Sequence, residues 1–339
     1  MQDDRIQVSL VTGFLGSGKT TLLNRLLRHP AMGRSAVIVN EFGTVGVDNA
    51  LIVGSSGEVL LLGSGCLCCS VRGDLTATLV ELMTERSQGA VPPFQRIVIE
   101  TTGLADPAPI VQSLMSDEAM LNHFRLGQVV TVVDAFHGSR TLDEHMEAVK
   151  QAAIADRLVL SKTDIAPAEA TQRLRLRLGR LNPLAPMFEA VQGEVEPGKL
   201  FGAAGFDIAD KSAEVRAWLE AEARHARDHD HAHDSDPNRH DERIRAHCLA
   251  FDAPLEWQAV AGWLDRLAFE RGEQLLRVKG LLNVTGQEEP VVIQGVHSLF
   301  HPPSTLPSWP DADRRSRLVF IVRDLERAEL EAGAPARAH

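Results

Sequence analysis

The chain has 339 residues, 44% of them hydrophobic, with 35 Lys and Arg against 46 Asp and Glu for a formal net charge of −11. That size suits one α/β domain of about 200 residues with a smaller companion, and the acidic balance argues against nucleic acid, whose binding draws on clustered cations. No apolar run approaches the roughly 18 residues of a membrane span, and Met1–Arg5 lacks the basic and apolar regions of a secretory signal. A cytoplasmic protein with no membrane partner is therefore expected.

In chain order, the apolar run Ile6–Val11 predicts a strand. It leads into Gly13-Phe14-Leu15-Gly16-Ser17-Gly18-Lys19-Thr20, a complete G-x-x-x-x-G-K-T phosphate loop, and then into Leu22, Leu23, Leu26 and Leu27 at helical spacing. Glycine lets backbone N–H groups turn toward phosphate oxygens, Lys19 reaches the β/γ-phosphates, Thr20 offers a hydroxyl to Mg²⁺, and the helix N-terminus adds a favourable dipole. Gly13, Gly16, Ser17, Gly18, Lys19, Thr20 and the adjoining Thr21 form the expected nucleotide cradle. With a strand before it and a helix after it, the motif predicts binding of a nucleoside triphosphate.

Ala36–Val39 predicts a second strand delivering the acidic loop Asn40-Glu41-Phe42-Gly43. Leu51–Val53 and Val59–Leu62 read as the arms of a hairpin. Just beyond it lies Gly65-Cys66-Leu67-Cys68-Cys69-Ser70, followed by Leu75, Leu79, Leu82 and Met83 at helical spacing. Cys66, Cys68 and Cys69 are three of only four cysteines, too few for a disulfide scaffold, and in a reducing compartment they point to metal or redox chemistry. Zn²⁺ favours tetrahedral thiolate coordination. One turn supplies at most three sulfurs, which leaves the fourth position to Glu41, a His, water or a recipient protein. Co²⁺ is the second choice of metal, and inert thiols or a vicinal Cys68–Cys69 disulfide are the alternatives.

Arg96–Glu100, Val129–Val133 and Arg157–Leu160 predict three further strands separated by helix-compatible segments, the alternation of a mostly parallel sheet. The first ends in Glu100-Thr101-Thr102-Gly103, an E-x-x-G step in which Glu100 supports Mg²⁺ and the Gly103 N–H senses the γ-phosphate. The third ends in Ser161-Lys162-Thr163-Asp164, close to the N-K-x-D guanine motif with Ser161 in place of Asn. In such a site the Asp164 carboxylate accepts from the guanine edge while the Lys162 stem covers the ring. Adenine would leave that carboxylate unpaired, so GTP is the expected nucleotide.

Near residue 224 the composition changes: His225, His229, His231, His233 and His240 alternate with Asp residues, which predicts a polar linker that either captures metal loosely or only tethers. Beyond it Ile244–Phe251 reads as a strand, Leu255–Phe269 as a helix with Trp257, Val260, Trp263, Leu264 and Leu267 on one face, and Leu275–Val284, Val291–Val296 and Arg317–Val322 as strands. Connections too short for crossover helices predict a mainly antiparallel α+β domain. Cys248 beside His247, and His297 with His301, are expected to pack rather than ligate. The expected divisions are a P-loop domain at 1–205, a helical, His/Asp-rich linker at 206–243, an α+β domain at 244–330 and a tail at 331–339.

Taken together, Gly13–Thr20, Asn40–Gly43, the C-x-C-C cluster, Glu100–Pro107 and Ser161–Asp164 resemble the CobW family of GTPases, along the length of the chain. The resemblance implies a P-loop NTPase domain with a smaller CobW-type C-terminal domain, and a GTP-hydrolysing metallochaperone that passes Zn²⁺ or Co²⁺ to an apo-metalloprotein. On that reading Lys19, Thr20, Glu100 and Glu41 serve hydrolysis, Thr20 and Glu100 hold Mg²⁺, and Cys66, Cys68, Cys69 and Glu41 hold zinc. Accessory roles in cobalamin synthesis or nitrile hydratase activation stay open, as do a P-loop ATPase with a structural cysteine turn, a metal buffer and a homo-oligomer.

Overall fold

The computed structural model describes residues 5–39, 49–53, 59–62, 73–202 and 243–336. Two compact units divide the chain: Met1–Thr141, Ala155–Leu174 and Met187–Phe206 in one, Leu142–Ile154, Arg175–Pro186 and Asp207–His339 in the other.

The N-terminal elements are β1 (Ile6–Thr12), α1 (Lys19–Leu26), β2 (Ser35–Val39), β3 (Asn49–Val53), β4 (Val59–Leu62), α2 (Gly73–Ser87), β5 (Arg96–Glu100), α3 (Ala108–Ser116), α4 (Glu118–His123), β6 (Phe124–Asp134), α5 (Gly138–Glu144), α6 (Met146–Ile154), β7 (Arg157–Ser161), α7 (Ala168–Leu181), β8 (Met187–Ala190) and α8 (Pro197–Phe201). The strands form one eight-stranded sheet in the order β4-β3-β2-β5-β1-β6-β7-β8. From β2 to β8 every pairing is parallel, whereas β3 and β4 add an antiparallel hairpin at one edge.

A parallel sheet needs apolar cover on both faces, because its crossover connections lay helices on each side. Accordingly β1 is buried at every position. On one face Val11, Val37, Val98, Val130, Val132 and Val159 pack with Leu22, Leu23 and Leu26 of α1. On the other, Val8, Leu10, Ile97 and Ile99 are equally inaccessible. Fully burying a side chain of this size contributes about 1.5–3 kcal/mol, so the shared apolar face holds α1, and with it the end of the phosphate loop, against the sheet.

Several strands depart from the sequence reading. β6 begins at Phe124 rather than Val129, and its pairing with β1 shifts register between Val8 and Leu10. Gly127 sits at this irregularity, where a Cβ would lie 2.3 Å from Ser9 Oγ; a glycine at a bulge allows the close approach. The short β8 had no clear alternating pattern to betray it. β7 extends through Ser161, and the N-terminal strands β1, β2 and β3 likewise run one or two residues past the expected bounds. Among the C-terminal strands, Ser316–Arg323 is one residue longer at each end than expected, while Leu275–Leu282 stops two residues short.

The C-terminal elements are β9 (Ile244–Phe251), α9 (Trp257–Arg271), β10 (Leu275–Leu282), β11 (Val291–Val296), β12 (Leu299–Phe300), β13 (Ser304–Thr305), β14 (Ser316–Arg323) and α10 (Arg327–Glu331). They build a separate sheet, β12-β11-β10-β14-β9 with β13 on β11, and all of its pairings are antiparallel. Trp263 centres this core. Its ring meets Phe251 and Phe320 edge-on, at centroid distances of 6.1 and 5.7 Å, and its Nε1 donates to Leu330 O at 2.9 Å. Trp257 does not join it: at the first position of α9 it is 36% exposed, a correction to the apolar stripe read from the sequence. No helix among the described residues is long and apolar enough to cross a membrane.

Candidate functional site

Four neighbouring strands, β5, β1, β6 and β7, end at the same edge of the sheet, and each delivers polar residues there. This is the edge where open parallel sheets bind ligands. Gly13, Gly16 and Gly18 have φ of 141°, 72° and 97°, a region nearly closed to other residues. Gly13 is doubly constrained, because a Cβ would lie 2.2 Å from Val132 O.

Four of the loop's carbonyls are occupied by side-chain donors. Lys19 Nζ donates to Gly13 O at 2.8 Å and to Phe14 O at 3.2 Å. Lys162 Nζ donates to Gly16 O at 2.8 Å, and Ser161 Oγ to Ser17 O at 2.6 Å. With carbonyls turned to these donors, the loop is set for its amides to receive an anion at the start of α1. Ser161, the departure from the Asn of the guanine motif, is thus bonded to the phosphate loop itself.

Glu100, at the end of β5 and 4% exposed, accepts a hydrogen bond from Thr20 Oγ1 at 2.8 Å. A carboxylate and a hydroxyl side by side are hard oxygen donors of the kind Mg²⁺ takes. Beside them Thr101 Oγ1 donates to Thr12 Oγ1 at 2.8 Å, and Thr101 N to Val11 O at 3.0 Å, fastening the E-x-x-G step to β1. Gly103 then passes so close to the phosphate loop that a Cβ would lie 2.6 Å from Leu15 N.

At the β7 end Lys162 adopts φ 57°, and Asp164 is exposed two residues on. The Lys162 ammonium also meets Asp134 Oδ2 at 2.7 Å, at the end of β6. Asp134 Oδ1 in turn accepts from Phe136 N at 2.7 Å and His137 N at 3.2 Å, at the entry to α5. Burial pushes the Asp134 carboxyl up, but the Lys162 bond and the two amides outweigh it and hold it below its ordinary value.

The structure therefore brings together the phosphate loop, Thr20, Glu100, Gly103, Ser161 and Lys162, with Thr21 exposed in the first turn of α1. Glu41, Cys66, Cys68, Cys69 and the linker histidines lie outside the described residues. Among the described residues no group of three or more His, Cys, Asp or Glu is arranged to hold a metal. Cys248 is a half-buried thiol, and His247 Nε2 lies 3.2 Å from Leu325 O, with its pKa lowered chiefly by burial. Sequence reasoning missed Asp134, although a carboxylate closing the apolar run Val129–Val133 was a visible signal.

The fold and the loop define a P-loop NTPase. The chain belongs to the CobW family: residues 7–189 match the CobW/HypB/UreG nucleotide-binding domain and residues 244–334 the cobalamin synthesis protein cobW C-terminal domain. It is 34% identical over 327 residues to the zinc chaperone YjiA of Escherichia coli, covering 96% of this chain and 97% of that one. To the zinc-regulated GTPase metalloprotein activator 1 of Saccharomyces cerevisiae it is 30% identical over 365 residues, covering 96% of this chain and 82% of that one. The crystal structure of Zn(II)-bound YjiA GTPase from E. coli superposes with a TM-score of 0.70 at 30% identity, over 98% of both chains.

Proposed function

We propose that this chain hydrolyses GTP and is a zinc chaperone, loading Zn²⁺ on Cys66, Cys68 and Cys69 with Glu41 and passing it to an apo-metalloprotein in the cytoplasm. The observation that carries the nucleotide half is the docking of Ser161 and Lys162 onto the carbonyls of Ser17 and Gly16. A guanine-type motif bonded to a phosphate loop ties base recognition to the place where phosphate is held. The names of the relatives support the zinc half.

In this reading the loop amides and Lys19 bind and orient the phosphates, and Asp164 selects guanine. Thr20 and Glu100 would hold Mg²⁺, which supplies charge neutralisation at the transferring phosphoryl group. Gly103 responds to the γ-phosphate through its N–H. Zinc is the cargo: thiolates bind it on losing their protons, so its affinity rises with pH through the thiol range. Loops ordered by triphosphate and relaxed after hydrolysis make metal affinity depend on nucleotide.

The test is a zinc titration of the full chain in GDP and in a nonhydrolysable GTP analogue. Tighter binding in one state by about 1–3 kcal/mol is expected, with zinc tightening that nucleotide by the same factor. Replacing Cys66, Cys68 and Cys69 by Ser should remove both the tight site and the coupling. Equal zinc affinities in the two states would refute nucleotide-controlled delivery.

A further inference from the structure

Lys162 is one of the most constrained cations at the site. Its backbone turns through φ 57° directly after β7, and its ammonium is held between a carbonyl of the phosphate loop, Gly16 O at 2.8 Å, and the carboxylate of Asp134 at 2.7 Å. The two strand ends are matched for this, since Asp134 and Ser161 are register partners across β6 and β7 and Ala135 N donates to Ser161 O at 2.9 Å. Asp134 is itself fixed, its side chain only 12% exposed and its other oxygen bonded to the amides of Phe136 and His137. The His137 imidazole, 62% exposed, stands farther off at 3.9 Å.

Resting on the guanine-nucleotide reading above, we propose that Asp134 is a positioning residue for base binding: it holds the Lys162 side chain where its stem covers the guanine ring and its ammonium steadies the phosphate loop. A lysine stem left to itself samples many rotamers, and freezing it when the base arrives costs conformational entropy. Asp134 removes that cost in advance, the ordinary gain of preorganisation. A turn contact alone would need only Oδ1, and Asn would supply it as well. The placement of Oδ2 against Lys162 is what a turn contact does not account for. Asp164, two residues beyond Lys162, can meet the guanine edge only with the ring lying on that stem, so the Asp134 contact also bears on base choice.

The experiment is a double-mutant cycle on the full chain, read by titration of fluorescent GDP. Asp134→Asn keeps an oxygen for the Phe136 and His137 amides while removing the charge facing Lys162. It should weaken GDP binding about tenfold, the effect of losing one hydrogen bond to a charged group. The loss should appear in KM for GTP, with kcat at saturation changed by less than about twofold. Lys162→Met should lose at least as much, and adding Asp134→Asn to it should cost nothing further, because the aspartate then has no lysine to hold. Asp134→Ser, whose hydroxyl can accept from the turn amides but cannot reach the ammonium, should match Asp134→Asn.

Parent affinity in Asp134→Asn, or a tenfold loss that persists in the Lys162→Met background, would overturn the assignment. So would melting temperatures of both Asp134 variants far below the parent's with Lys162→Met unaffected, which would make Asp134 a structural turn residue. A parent chain that binds no guanine nucleotide would instead overturn the functional reading on which the assignment rests.

Discussion

Replacing Gly103 by Ala is the most direct probe of how the E-x-x-G step reports on phosphate. The added Cβ would stand 2.6 Å from Leu15 N, 2.6 Å from Leu15 Cδ2 and 2.8 Å from Leu15 Cα. The leucine side chain can rotate away, but the two backbone atoms belong to a loop whose carbonyls at Gly13, Phe14, Gly16 and Ser17 are all bonded. The E-x-x-G segment must therefore give way by roughly 1 Å, at a cost of about 1–3 kcal/mol typical of overpacking. Displaced that far, the Gly103 N–H no longer meets a γ-phosphate, while GDP makes no use of it. Affinity for a nonhydrolysable GTP analogue should fall about tenfold or more relative to GDP, and melting of the nucleotide-binding unit should move down by several degrees, at about 2–4 °C per kcal/mol. Fluorescent-nucleotide titrations and thermal scans read both. Adding Leu15→Ala should not restore the analogue, because the backbone contacts remain. A Gly103→Ala chain with the parent's ratio of analogue to GDP affinity would refute the reasoning.

Asp164→Asn puts an amide where the guanine edge needs an acceptor, so GTP affinity should fall by about 2 kcal/mol or more while the phosphate loop is untouched; equilibrium binding with GTP and ATP in competition measures it. Lys19→Ala should abolish phosphate release at saturating GTP and leave the circular dichroism spectrum at the parent's. Trp263→Phe leaves the Leu330 carbonyl without its 2.9 Å donor in a buried setting, which should destabilise the C-terminal unit by about 1–3 kcal/mol in a denaturant titration.

The parts of the fold most legible in the sequence are those where backbone geometry dictates the residue. Gly13, Gly16 and Gly18 occupy positive φ, where glycine is the residue that fits without strain. Arg96–Glu100 was readable to the residue, because an unbroken apolar run bounded by charge is what a strand buried on both faces requires. β6 was readable only in its second half: Arg125, Gly127 and Gln128 break the apolar pattern while the backbone pairs on through a bulge. β8, Met-Phe-Glu-Ala, is four residues long and takes its strand character from β7 rather than from its own sequence. At the site, Lys162 and Ser161 were legible as a motif, but their bonds to Gly16 and Ser17 join residues more than 140 positions apart. Asp134 acquires its meaning only in register with Ser161, which a linear reading does not display.

The strand order β2-β5-β1-β6-β7 has a consequence for how the chain emerges from a ribosome. β1 and β2 are made first, yet they are not neighbours, for β5 lies between them. A nascent chain that stops short of Arg96 has two buried-type strands with no native parallel partner for either, a state in which exposed strand edges invite association with other chains. Closing that gap brings strands together across some 90 residues, a non-local step of the kind that slows folding. The donors to Gly16 and Ser17 come later still, with Ser161 and Lys162, so the phosphate loop is synthesised near the beginning and receives its outer support only when nearly half of the protein has been made.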